Sequence, residues 1–392
     1  MDKKQIFMQK AKRIMISAGE ASGDIYGAYL TRAIKNISPN VKFFGLGGQE
    51  MENAGVKIIH QSSFMAVVGL TEVIYKSRYI LKALKEMKKI LSVSPPDLLI
   101  LIDYPGFNLN LAKSAHALRI PVFYYIPPQL WAWWKRRVNK LSSRVDQLAV
   151  ILPFEKEFYQ RYGIAVEYVG HPLLDMPLPA EDKREIRKKL GIDNKKRPVL
   201  GLLPGSRSEE IARHMPIMID AAKIISRTYP DLQCVLPLAS TVKEKMIRCY
   251  VENSDLDVTI ETLDTKALLK ICDMAFIASG TATLEAAITG TPMVIVYKVS
   301  PMSYFLGWLF VNVSNIGLVN LVADKTVVPE LIQGNATAEN LAEQGMSILK
   351  NSSVRTEIKK ELTLVKAKLG DGGASIKTAY IAAEMMGLSR NE

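Results

Sequence analysis

Residues 274–288 read Met-Ala-Phe-Ile-Ala-Ser-Gly-Thr-Ala-Thr-Leu-Glu-Ala-Ala-Ile. The apolar run Met274–Ala278 has the length and composition of a buried strand, and a helical pattern resumes directly after Ser279-Gly280-Thr281. A strand that feeds a helix through three small residues is the repeating unit of a parallel α/β sheet. Such a turn directs backbone N–H groups and the positive end of a helix dipole at open space, which suits an anion. Glu285, one turn inside, would repel phosphate unless it faced something else, and sugar hydroxyls are the natural partner. Two readings fit these residues: a nucleotide site with phosphate at the helix tip and ribose at Glu285, or a plain buried turn with a dipole-favoured glutamate.

The same alternation runs outward in both directions. Toward the N-terminus, Arg13–Ala18, Val41–Gly45, Asp97–Asp103, Pro121–Ile126, Asp146–Leu152 and Glu167–Gly170 read as strands. Asp24–Asn36, Val73–Leu91, Leu109–Leu118 and Glu155–Tyr162 read as helices between them. A second series begins at Val199–Leu203 and continues through Leu232–Leu236, Val258–Ile260, Met274–Ala278 and Met293–Tyr297. Prolines 172, 177 and 179 and the charged run Glu181–Lys189 separate the two series. The expected organisation is therefore an N-terminal α/β domain over 1–171, a linker with a surface helix over 172–197, and a second α/β domain over 198–370. Residues 371–392 form a last helix that can cross back to the first domain. At 392 residues, two cores are the natural division. The fold class is α/β: two Rossmann-like parallel-sheet domains facing across a cleft, with ligands at the carboxyl ends of the strands.

Composition narrows the function. The chain is 48% hydrophobic and 23% charged, with net charge +12, which favours anionic partners: nucleic acid, lipid headgroups or phosphorylated substrates. Three cysteines without a pairing or metal spacing fit a reducing compartment. No secretory leader is evident. Val299–Ala323 carries no charge but is broken by proline, serine and asparagine, so a short apolar helix and an Asn-rich loop are expected rather than a membrane span.

Loops after strands supply the candidate site residues. Gly19-Glu20-Ala21-Ser22-Gly23-Asp24 matches no phosphate-cradle pattern, yet Glu20, Ser22 and Asp24 offer hydroxyl acceptors or, alternatively, helix caps. Asp103 ends the apolar run Leu98–Ile102, where desolvation raises a carboxyl pKa and suits it to act as a general base; Asn108 is the nearer helix cap. Trp131-Ala132-Trp133-Trp134-Lys135-Arg136-Arg137 suits base stacking, an anionic membrane interface or a core turn beside a basic helix. With the basic amphipathic stretch Tyr75–Lys89 it tips the reading toward a membrane surface. Leu203-Pro204-Gly205-Ser206-Arg207 places a serine donor and a guanidinium fork where a phosphate would sit. His171 lies at the domain junction, as a cleft ligand or a packing residue.

Taken in order, Ala18–Asp24, Phe43–Gly48, Ile102–Asn108, Pro128–Trp133, Leu152–Glu157, Val169–Leu173, Leu203–Arg207, Ala278–Glu285 and Asn320-Leu321 resemble the lipid-A-disaccharide synthases, inverting glycosyltransferases of the two-Rossmann-domain GT-B type. That resemblance implies UDP-2,3-diacylglucosamine as donor and 2,3-diacylglucosamine 1-phosphate as acceptor, giving a β(1→6) disaccharide 1-phosphate and UDP. It implies Ser206, Arg207, Ser279, Gly280, Thr281, Glu285 and Asn320 as UDP-site residues. Asp103 and Glu20 become the acids needed for turnover, and Ser22 and Asp24 the remaining polar positions of the first loop. No metal site and no cofactor are expected, because cations and a helix dipole stand in for Mg²⁺. The expected location is cytoplasmic, at the inner face of the inner membrane. Nucleic acid is not expected as a partner, and a homodimer is left open. Gly106 and Lys325 depart from the family pattern, where many members carry an acid and an arginine. The competing readings are a UDP-N-acetylglucosamine 2-epimerase on the same fold and a non-catalytic nucleotide-sugar-binding protein.

Overall fold

A computed structural model describes residues 11–64, 70–133, 138–192, 197–238, 242–300 and 315–388. The chain divides into two compact units, Met1–Asp175 with Gly372–Glu392, and Met176–Asp371.

The first unit is built on a seven-stranded parallel sheet. Its strands are β1 (Arg13–Ala18), β2 (Lys42–Gly47), β3 (Val56–Gln61), β4 (Leu98–Ile102), β5 (Val122–Tyr125), β6 (Gln147–Val150) and β7 (Val166–Tyr168), in the order β3-β2-β1-β4-β5-β6-β7. All five residues of β4 are buried, as are five of the six in β1. That is the signature of central strands covered by helices on both faces. The edge strand β3 was not expected: Val-Lys-Ile-Ile-His-Gln mixes polar residues into a half-exposed edge and lacks the apolar run of its neighbours.

The second unit carries a six-stranded parallel sheet: β8 (Val199–Leu203), β9 (Gln233–Pro237), β10 (Asp257–Glu261), β11 (Met274–Ala278), β12 (Met293–Tyr297) and β13 (Glu330–Ile332), in the order β10-β9-β8-β11-β12-β13. The three-residue edge strand β13 was also missed, being too short to show a period.

Helix Ala374–Met385 packs on helix Ala21–Ile37 in the first unit. Asp175 holds its start, accepting from the backbone N–H of Ala374 at 3.0 Å and of Ser375 at 2.7 Å. The helix Leu70–Val93 turns Ala83, Met87 and Leu91 into the core and leaves Lys82, Lys85 and Lys89 exposed. From residue 78 onward Tyr79, Ile80 and Leu84 pack on that core, Leu81 is 64% exposed, and Lys82, Lys85 and Lys89 form a solvated face. No described helix is long and apolar enough to cross a membrane.

In both sheets the strand order reverses once, between β1 and β4 and between β8 and β11. Loops leaving adjacent strands in opposite directions open a crevice at such a point, which is where ligands bind in open parallel sheets.

Candidate functional site

The second unit's reversal point brings together the two loops singled out above. Leu203 of β8 is paired with Ile277 of β11, so Pro204–Arg207 and Ser279–Thr281 leave neighbouring strands at the same level. Gly205 has φ +114°, a conformation that glycine tolerates and other residues resist. The Glu210 carboxylate accepts from the N–H of Ser206 at 3.0 Å, the N–H of Arg207 at 3.2 Å and the Arg207 guanidinium at 3.2 Å. Two amides and a guanidinium thus converge on one anion supplied by the chain itself. The same donors suit a phosphate oxygen. Glu210 was not picked out, although a glutamate three residues after the helix cap is a recognised sequence signal.

Ser279 is committed to its surroundings: its N–H donates to Val296 O at 3.2 Å and its hydroxyl to Ile316 O at 2.9 Å. Around Gly280 a Cβ would meet nothing within 4 Å, so the turn is open above the backbone. Thr281 is the N-cap residue of helix Ala282–Thr289. Glu285, half-buried, has its pKa pushed up to about 7 by burial and by nearby Asp264, while Lys266 pulls it back. Lys266 is fully buried, and its ammonium donates to Met176 O at 3.3 Å.

Asn320 is fully buried and spends its whole amide on backbone and one acid. It accepts from the N–H of Val327 and Val328 and donates to Val328 O and to Glu330. Glu330 in turn accepts from the N–H of Ile316 at 2.9 Å and of Gly317 at 3.0 Å. Asn320 therefore shapes the loop on which Ser279 rests. Residues 301–314, expected as an apolar helix and Asn-rich loop, lie outside the described residues.

In the first unit, Ala18 of β1 pairs with Ile102 of β4, which sets Glu20 and Asp103 at adjoining strand ends. Asp103 and Tyr104 are both left-handed, with φ of 48° and 46°. Consecutive non-glycine residues in that region are strained, and such strain is held only where the surroundings enforce it. The enforcing group is Asn108. Its amide donates to Asp103 O at 2.7 Å, Ile102 O at 3.1 Å and Ser17 O at 3.3 Å, and it accepts from the Ser17 hydroxyl at 2.7 Å. Tyr124 adds an O–H to Asp103 O at 2.6 Å. The expectation that Asn108 caps the helix is corrected: helix Pro105–Ala117 starts with Tyr104 as its cap residue, and Asn108 lies inside the first turn, facing back to the strand tips. The Asp103 carboxylate accepts from the N–H of Tyr104 at 2.8 Å.

Tyr104 was overlooked in the sequence. Its ring occupies the space a side chain at position 19 would need, which explains Gly19. Burial, then the neighbouring Glu20 charge, raises its phenol pKa. Ser22 is half-buried in the first turn of its helix. Asp24 is buried and accepts from the N–H of Gly48, Glu50 and Met51, so it fixes the turn after β2. At Gly106 a Cβ would meet nothing within 4 Å.

Trp131 is buried, donates its indole N–H to Glu155 at 3.0 Å and sits edge-on to Phe154. That residue is core. The side chains of 132–133 and all of 134–137 lie outside the described residues. His171 is buried, accepts from Leu173 N–H at 3.2 Å and meets the Tyr26 ring edge-on, as a packing residue does. No group of three or more candidate metal ligands occurs among the described residues.

The *Staphylococcus aureus* MnaA–UDP co-structure superposes with TM-score 0.69 at 14% identity, over 97% of this chain and 98% of that one. A *Neisseria meningitidis* UDP-GlcNAc 2-epimerase superposes with TM-score 0.58 at 13% identity, over 96% and 100%. At such identities only the fold is shared. By contrast, the lipid-A-disaccharide synthase of *Trichlorobacter lovleyi* is 44% identical over 96% of this chain and 98% of its own length. That of *Coxiella burnetii* strain RSA 331 is 38% identical over 96% and 99%. A sequence model described as lipid-A-disaccharide synthetase matches residues 14–384, and the chain belongs to that family.

Proposed function

We propose that this chain transfers 2,3-diacylglucosamine from its UDP conjugate to the primary hydroxyl of 2,3-diacylglucosamine 1-phosphate, with inversion. Membership of the synthase family makes it a UDP-sugar-dependent glycosyltransferase, and it decides against the epimerase that the fold alone would allow. The observation that carries the donor assignment is the convergence of Ser206 N–H, Arg207 N–H and the Arg207 guanidinium on one carboxylate, next to the open Gly280 turn.

In this reading the 198–370 domain takes the nucleotide. Ser206, Arg207, Gly280 and Thr281 hold the diphosphate, Glu285 accepts from sugar hydroxyls, and Ser279 and Asn320 shape the site. The 1–171 domain takes the acceptor. Asp103 removes the hydroxyl proton as its oxygen bonds to C1 of the donor, with Glu20 as the alternative base. The C1–O bond to the diphosphate breaks as the new bond forms, and UDP leaves with the electron pair. The strained Asp103-Tyr104 backbone supports this choice, because strain of that kind is retained where it presents a reacting group. Ser22 and Asp24 support the first loop, and Asp24 does so through the β2 turn. The +12 charge suits docking on an anionic inner-membrane surface, where both lipid substrates reside.

The test is UDP release from donor with and without acylated glucosamine 1-phosphate. Dependence on that acceptor is expected. Asp103→Asn should lower kcat by about 100-fold or more, in line with loss of a general base, while UDP still binds. Wild-type-like turnover by that variant, with Glu20→Gln inactive, would move the role to Glu20.

A further inference from the structure

His214 belongs to none of the assigned groups. It lies in helix Ser208–Ser226, seven residues past Arg207 at the exposed end of that loop, and is fully buried. Its Nε2 accepts from the N–H of Lys298 at 3.0 Å, so that nitrogen carries no proton. Its Nδ1 lies 2.9 Å from Pro204 O and therefore carries the hydrogen and donates it. One neutral tautomer thus bridges the start of the Pro204–Arg207 loop to the end of β12. The adjoining residue is Gly205, with its left-handed φ.

The contacts continue around the carboxyl edge of the sheet. Val299 N–H donates to the Gln333 side chain at 2.8 Å, and the Gln333 amide returns a bond to Val299 O at 3.3 Å. Glu330, on β13, holds Ile316 and Gly317, and Ser279 bonds Ile316 O. The loops after β8, β11 and β12 are thereby linked through side chains, and His214 is the link that reaches the Arg207 loop.

We propose that His214 is a positioning residue of the nucleotide-sugar site, holding the Gly205-Ser206-Arg207 backbone in the conformation that presents its amides and guanidinium to the diphosphate. The inference rests on the donor assignment above. Protonating Nε2 removes the acceptor that Lys298 N–H needs, so the ring must stay neutral for the bridge to survive. Burial lowers the ring's pKa, while Glu210 pulls it upward and Arg213 downward. Tyr297 is the ring that packs beside it. With the folded pKa depressed, the bridge is intact above the ordinary histidine range and is lost as pH falls through the lowered value.

The experiment measures UDP affinity calorimetrically for wild type, His214→Leu and His214→Gln at pH 7.5 and 5.5, with donor KM and kcat alongside. Leucine removes the partner of the buried Pro204 carbonyl and of the Lys298 N–H, so UDP should bind about ten-fold more weakly, or worse, with the loss in donor KM rather than acceptor KM. Glutamine offers a donor and an acceptor that do not titrate, and should recover most of the affinity at pH 7.5. Titration of the diphosphate and of Glu285 is common to wild type and His214→Gln and cancels in the ratio of their dissociation constants. That ratio should move against wild type as pH falls through the lowered histidine value, following the lost bridge. A His214→Leu protein binding UDP within two-fold of wild type overturns the proposal. If that variant does not fold, His214→Asn, whose shorter amide cannot span both Pro204 O and the Lys298 N–H, takes its place, and UDP binding by it within two-fold of wild type overturns the proposal. Failure of the wild type itself to bind UDP would sink the donor assignment rather than the role of His214 within it.

Discussion

Replacing Asn108 by alanine tests whether the strained seat of Asp103 has a functional purpose. Three strong bonds are lost: Ser17 to Asn108 at 2.7 Å, and Asn108 to the carbonyls of Asp103 at 2.7 Å and Ile102 at 3.1 Å. The fourth, to Ser17 O at 3.3 Å, is long and contributes less. At about 1 kcal/mol net each, the loss is about 3 kcal/mol, and the Ser17 hydroxyl is left buried without this partner. For a cooperative unit of this size each kcal/mol lowers the melting temperature by roughly 2–4 °C, so a drop of about 6–12 °C is expected. The functional consequence is separate. Tyr124 still holds Asp103 O, but the backbone at Asp103 and Tyr104 can now relax from its left-handed conformation. A carboxylate displaced by even 1 Å costs up to about 100-fold in rate, so kcat should fall about ten- to hundred-fold in protein still folded at the assay temperature. Thermal denaturation and steady-state UDP release, run on the same preparation, separate the two effects. A destabilised variant whose kcat stays within two-fold of wild type would refute the view that Asn108 aims Asp103 for chemistry.

Two further outcomes follow from the geometry. Gly205→Ala forces a side chain into a φ of +114° against Glu210; the loop should shift, costing about 1–3 kcal/mol of stability and about ten-fold in UDP affinity, and unaltered calorimetric affinity would contradict the anion-site reading. Glu155 is buried with its pKa raised to about 7 by desolvation, so the stability it contributes is fully present at low pH and is lost as pH rises through about 7. The stability difference between wild type and Glu155→Gln, measured by urea unfolding, should therefore fall from pH 5 to pH 8; a difference independent of pH would show that the carboxyl is not so perturbed.

The central strands were legible because a parallel sheet covered on both faces must be written as unbroken apolar runs, and Leu98–Ile102 and Met274–Ala278 are such runs. The switch-point loops followed from the same runs, since small and polar residues at their ends have few other uses. What local sequence could not carry was any contact between segments far apart in the chain. Whether Asn108 caps its own helix or reaches back 91 residues to Ser17 depends on which strands lie side by side. Asn320 reads equally well as a ligand contact or a loop brace, and only the placement of Val327, Val328 and Glu330 around it shows where its amide bonds go. Burial has the same character: Glu285 and Glu155 are ordinary acids in sequence, and desolvation by the packed chain is what raises their pKa values. Amino-acid order alone thus determined the α/β class and the positions where chemistry can be presented, because hydrophobic period and strand-end chemistry are local. Tertiary structure decided which of those polar groups are consumed by the fold, because hydrogen-bond partners and dielectric are properties of the assembled neighbourhood.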